Sequence, residues 1–129
     1  MQPDTSARAR IERLCLALPE ATGEDGQHVG YKVRGRTFAW LTEDHHGDGR
    51  LSVTCKAPPG AQQALVAADP ERWFVPPYLG PRGWLGLHLD TPEVDWAEVA
   101  ELVTDSYRLV APRRLTAEIL PRTDDPPAP

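Results

Sequence analysis

Cysteine is nearly absent from this 129-residue sequence: Cys15 and Cys55 are the only two, and no CxxC pair occurs. A disulfide framework or a redox motif is therefore not expected. Both thiols read as buried apolar residues, Cys15 in a helical pattern and Cys55 in a strand pattern. Long apolar runs are also missing. No stretch approaches the roughly 18 residues of a membrane span, and the opening MQPDTSARAR has no apolar signal core, so a cytoplasmic protein without membrane contact is expected. Glycine-rich phosphate loops are lacking too, because GRG and GPRG stand outside the strand-to-helix context that makes such glycines useful. Ser106 and Tyr107 have no nucleophile elbow and no placed histidine partner, so a catalytic role is not expected of them. Tyr107 is read as a core-edge aromatic with its hydroxyl at the surface.

What is present is an ordinary globular composition, 40% apolar and 26% charged, with a net charge of −5. The length suits one domain with a real core. It is placed at 6–117, with flexible termini at 1–5 and 118–129. The charge is unevenly spread. No acid occurs from Gly26 to Thr42, where Lys32, Arg34 and Arg36 fall at every second position, and no Lys or Arg occurs from Asp90 to Asp105.

Periodicity gives the elements. Ser6 is a plausible N-cap for a helix that carries Ile11, Leu14, Cys15 and Leu18 on one stripe and ends by Pro19. HVGYKVRGRTFAWL reads as a hairpin with Arg34-Gly35 at the turn, which sets Tyr31 opposite Phe38 and Val29 opposite Trp40 on the core face. RLSVTCK follows, with Leu51, Val53 and Cys55 inward and Ser52, Thr54 and Lys56 outward. A short helix over roughly 61–68, strands at RWFVP and GWLGLHLD, and a helix through Trp96, Val99, Leu102, Val103 and Val110 complete the order. Thr91 or Asp95 caps that helix, with Glu98 at capping-box spacing, and Pro112 stops it. Leu14, Val29, Tyr31, Phe38, Trp40, Val53, Leu85, Leu87, Val99 and Leu102 are expected in the core. The fold class is α+β: a two-layer sandwich, α-β(3)-α-β(2)-α, with a mainly antiparallel five-stranded sheet.

LALPEA, YKVRGRTFAWL, PPYLGPRGWLGLHLD and DWAEVAELVTDSYRLVAPRRL, in this order, resemble the MmcQ/YjbR family over about residues 8–117. The resemblance implies the same element order, related to secretion-chaperone-like and frataxin-like sandwiches. It also implies a DNA-binding role by analogy with double-wing DNA-binding domains.

Three places carry candidate chemistry. The basic hairpin, Lys32, Arg34 and Arg36 with Lys56 beside it and Arg113 and Arg114 beyond the last helix, reads either as a phosphate-contacting ribbon or as a solvated sheet face guarded against edge pairing. The stretch WFVPPYLGPRGW reads as a stiff crossover between two strands, or as a partner-contacting loop through Tyr78, Arg82 and Trp84. His45-His46 with Glu43, Asp44 and Asp48 reads as a solvated loop rather than a metal site. His28 and His88, each alone on a strand, read as ordinary residues. A non-catalytic protein without cofactor or metal is expected. Its partner is DNA held by the hairpin, or another protein held by the sheet face or the 76–83 loop.

Overall fold

The computed structural model describes residues 6–24, 26–44 and 49–119. Helix α1 (Ala7–Leu16) begins where the Ser6 hydroxyl accepts the Ala9 N–H at 3.2 Å, and it buries Ile11 and Cys15. Strands β1 (Val29–Val33) and β2 (Arg36–Glu43) form a hairpin. Arg34 and Gly35, at φ 51° and 78°, make the turn, the paired left-handed conformation that matches strand twist. Strand β3 (Leu51–Lys56), helix α2 (Ala61–Ala68), the two-residue strand β4 (Trp73–Phe74) and strand β5 (Trp84–His88) follow. Helix α3 (Trp96–Val110) and a one-turn helix α4 (Arg113–Thr116), which begins just past Pro112, close the described chain.

The sheet runs β1-β2-β3-β5-β4 with every neighbouring pair antiparallel. The expected α+β order is therefore present. Helices α1 and α3 pack against one face of this sheet, with Ile11 and Cys15 of α1 and Val99 and Val103 of α3 meeting Val29, Tyr31, Phe38, Leu41, Val53, Leu85 and Leu87 in one core. Leu14 and Leu102, expected inside, are only half-buried at the rim. Cys15 and Cys55 are free and buried, and burial pushes the Cys15 thiol up to about 12, which keeps it unreactive. Among the described residues no helix is long and apolar enough to cross a membrane.

The hairpin register departs from the simple alternation. Lys32 pairs with Thr37 but Tyr31 pairs with Ala39, so Phe38 is an extra residue in β2. Beyond this bulge the pairing becomes Gly30 with Trp40 and Val29 with Leu41. Phe38, Ala39 and Leu41 therefore enter the core, and Trp40 is carried to the opposite face, where it is half-buried. The expected core position of Trp40 is corrected by that one inserted residue.

Helix α3 fastens the bulge. The fully buried Ser106 hydroxyl donates to the Phe38 carbonyl at 2.6 Å and accepts the Lys56 N–H at 2.9 Å. Tyr107 is fully buried as well, edge-on to Phe38 with centroids 5.3 Å apart, and its hydroxyl donates to the Pro19 carbonyl at 2.6 Å. Its hydroxyl is thus an interior strut rather than a surface group. At the other end of α3, Asp95 caps the Ala97 and Glu98 N–H groups. The Glu98 carboxylate engages Arg72 instead of closing a capping box.

Ser106→Ala removes one hydroxyl and leaves both a backbone N–H and a carbonyl without that partner. Each such loss costs about 1–3 kcal/mol. Chemical denaturation should show a stability loss of at least about 2 kcal/mol with an unchanged m-value, and a loss below about 0.5 kcal/mol would mean that the bulge does not depend on Ser106.

Candidate functional site on the uncovered sheet face

Register places the residues of the face away from the helices in rows across the strands. One row reads Gly30, Trp40, Thr54, Gly86 and Phe74, from β1 to β4. The adjacent row contains Thr42, Ser52 and His88, with His28 just before β1 on the same side. Each row has small hydroxyl residues at its centre and rings toward its flanks.

Two glycines let the rings lie down. A Cβ on Gly30 would meet the Trp40 ring at 2.9–3.3 Å, and one on Gly86 would meet the Phe74 ring at 2.2–2.5 Å. Phe74 also stacks on the His88 imidazole, with centroids 4.5 Å apart and planes 21° from parallel. The Ser52 hydroxyl lies 2.9 Å from His88 Nδ1, and the Glu43 N–H donates to His28 Nδ1 at 3.3 Å.

The chain from Pro76 to Leu79 borders this floor and with it lines an open cavity of about 670 Å³. The lining is His28, Trp40, Thr42, Ser52, Thr54, Phe74, His88 and the 76–79 segment itself, with no Asp, Glu, Lys or Arg among the described residues. Ser52 and Thr54 are consequently buried although they point away from the core. Leu79 N–H donates to the Pro77 carbonyl at 2.7 Å, closing a three-residue turn on Tyr78, whose φ is 65°. Gly80 N–H donates to the Pro76 carbonyl at 2.9 Å and closes a wider loop around it. Tyr78 is held 85% exposed in a backbone conformation that disfavours bulky residues.

Ser52 and His88 have the separation of a nucleophile and its base. Among the described residues no carboxylate lines the cavity, and Ser52 sits within the paired ladder of β3.

The basic residues take a different position. Arg34 is engaged by Glu20 through bonds of 2.6 and 3.0 Å. The Arg34 hydrogen bond holds the Glu20 carboxyl below its ordinary range, with a smaller Coulombic contribution from Arg114. The hairpin turn and α4 thus converge on one acid. Lys32, Arg36, Arg113 and Arg114 are exposed, and Lys56 is half-buried at the end of β3. In the crossover, Tyr78 and Arg82 are exposed, but Trp84 is only 8% exposed opposite Lys56. Its burial removes Trp84 from the accessible contact residues. Asp44 Oδ1 accepts the Gly49 N–H at 2.6 Å. His45, His46 and Asp48 lie outside the described residues, among which no three His, Cys, Asp or Glu side chains gather as a metal site.

The model of the YjbR family matches residues 16–109. The chain belongs to that family. The fold is also similar to a crystal structure of Deinococcus radiodurans protein DR2400, described as a DUF419 domain, with a TM-score of 0.70 and 21% identity over 92% of this chain and 91% of that one. No curated protein matches the chain. At that identity the similarity speaks for the fold alone.

The sequence reading missed His28, Trp40, Thr42, Ser52, Thr54, Phe74 and His88 as a group. The available signal was Gly30 and Gly86, each alone inside a strand, where a missing side chain marks a close approach.

Gly86→Ala should drive the Phe74 ring off His88, at a cost of about 1–3 kcal/mol typical of overpacking. The readout is the His88 ring-proton resonances, shifted upfield by the stacked Phe74 ring in the wild type and moved back toward ordinary positions in Gly86→Ala. Unchanged resonances would contradict the stack.

Proposed function

We propose that the protein is a non-catalytic binding module whose working surface is the uncovered sheet face bordered by the 76–79 segment. One observation carries this reading: a cavity of about 670 Å³ outside the core, floored by hydroxyls and walled by rings. Its volume lies in the range of about 300–1,000 Å³ usual for ligand sites, and it combines apolar walls with a few convergent polar groups. Backbone-amide NMR with chemically mixed fragments tests it. Perturbations are expected at Thr42, Ser52, Thr54 and Tyr78. Perturbations confined to other surfaces, or none with any fragment, would remove the reading.

A second reading, DNA held by the basic hairpin, is supported by the convergence of Arg34 and Arg114 on Glu20 and by the exposure of Lys32, Arg36 and Arg113. Glu20 neutralises part of that patch. Roughly three phosphate contacts would give a log K against log[salt] slope of about −3 on duplex DNA. On this reading Glu20→Gln, which releases Arg34, strengthens binding, and joint charge reversal of Lys32 and Arg36 abolishes it. Absence of salt-sensitive binding by the wild type at low ionic strength would end the DNA reading.

A further inference from the structure

We infer that the cavity takes an uncharged, planar heteroaromatic small molecule, gripped by Trp40 and Tyr78 and oriented by the hydroxyls and imidazoles of its floor. The inference rests on the reading of this face as the binding surface and goes one step further, to the chemistry of the ligand.

Charge is the first argument. With no Asp, Glu, Lys or Arg among the described residues of the lining, a phosphate, carboxylate or ammonium would lose hydration here without gaining an ion pair to any of those side chains. Unpaired charges are costly in such surroundings, whereas neutral polar atoms need only a hydrogen bond. Three of the molecule's arginines are paired away from the cavity: Arg34 with Glu20, Arg50 with Asp90 and Arg72 with Glu98.

Shape is the second. Trp40 and Phe74 lie flat because Gly30 and Gly86 have no side chains, so they present ring faces rather than edges to neighbouring space. Between Trp40 on β2 and Gly86 on β5 stands only Thr54. Two strand spacings, about 10 Å in all, separate β2 from β5. A flat ring system can lie along that floor with a face against the Trp40 ring, a contact that an aliphatic group makes less fully.

Polar placement is the third. Thr42, Ser52 and Thr54 carry hydroxyls, and His28 and His88 carry ring nitrogens, all along the cavity floor. Hydroxyls and imidazoles donate and accept, which suits the mixed nitrogen and carbonyl edge of a heteroaromatic ring. A hydrocarbon would offer the Thr42 and Thr54 hydroxyls no hydrogen bond in exchange for water.

The mouth is the fourth. Tyr78 projects its ring at the opening, on a positive-φ turn held by the Pro77 and Pro76 carbonyls. Strained backbone of this kind collects at ligand clamps, and a tyrosine with few rotatable bonds loses little entropy on closing over a flat ligand.

The test uses lumichrome, a neutral tricyclic heteroaromatic, with anthraquinone-2-sulfonate as a flat but anionic control and cyclohexanol as a non-planar one, at slightly alkaline pH. Lumichrome should perturb the amides of Thr42, Ser52 and Thr54, and the two controls should not. Trp40→Ala and Tyr78→Ala should each weaken binding about tenfold, the loss of one ring stack. Tyr78→Ala is the decisive variant, because an exposed ring can be removed without touching the core, and an unchanged amide spectrum elsewhere verifies that. If a control perturbs the same amides as strongly as lumichrome, the ligand class is wrong while the face remains a binding surface. Lumichrome binding that neither variant weakens also overturns the inference. Silence from lumichrome, from both controls and from every mixed fragment removes the inference together with the reading beneath it.

Discussion

A single hydroxyl, that of Ser106, stands where the two faces of the sheet are decided. A β-bulge takes one residue out of the ladder, and its backbone groups then need other partners. Here the extra residue is Phe38, and its carbonyl is met by Ser106 reaching down from α3. The same oxygen accepts the N–H of Lys56, so helix, bulge and the end of β3 are joined at one atom. With the bulge secured, Ala39 and Leu41 face the helices and Trp40 faces away. Without it, a one-residue slip would drive Trp40 into the core and send Ala39 and Leu41 to the other side. Core packing and the aromatic wall of the cavity thus share one constraint.

This explains where the sequence was readable and where it was not. The Arg34-Gly35 turn was legible because two adjacent left-handed residues have few sequence solutions. Val53, Cys55, Leu85 and Leu87 were legible because alternation between paired neighbours has one consistent answer on a sheet covered on one side. The bulge was not, since Phe38 is an acceptable core residue in either register and only the downstream Trp40 reveals the slip. Tyr107 misled for a related reason. Its hydroxyl suggests a surface end, but the partner is the carbonyl of Pro19, far away in the chain. Ser52 and Thr54 were correctly assigned to the outer face, yet their burial there depends on the later 76–79 segment folding back beside them.

Charge segregation has a structural use. Arg50 holds Asp90 through contacts of 2.8–3.0 Å, joining the start of β3 to the residue just beyond β5, and its hydrogen bonds keep the Asp90 carboxyl below the usual range. A depressed carboxylate contributes stability above its unfolded-state range, and that contribution is lost as acid protonates it. Arg8 similarly binds the Gly26 and Gln27 carbonyls and Glu43, tying α1 to the approach to β1. These cations lie at the rims, and the described floor of the outer face carries no Asp, Glu, Lys or Arg.

The proline-rich crossover follows from the same geometry. Strand β4 pairs with β5 through only two residues, Trp73 and Phe74, before the chain must cross back. Pro76 and Pro77 cannot donate to a ladder, so they end β4 early and leave the following residues free to border the face rather than extend the sheet. Their carbonyls accept the Gly80 and Leu79 N–H groups and so hold Tyr78 in its left-handed turn. An ordinary residue pays about 1–3 kcal/mol for such a conformation, and glycine at this position would avoid the cost. A tyrosine there, 85% exposed, spends stability on a ring that adds almost nothing to the core. On the proposed reading of the cavity as a binding site, the return lies in where the ring is held: at its mouth, on a turn already closed by two backbone hydrogen bonds, so that little ordering would remain to be done on binding.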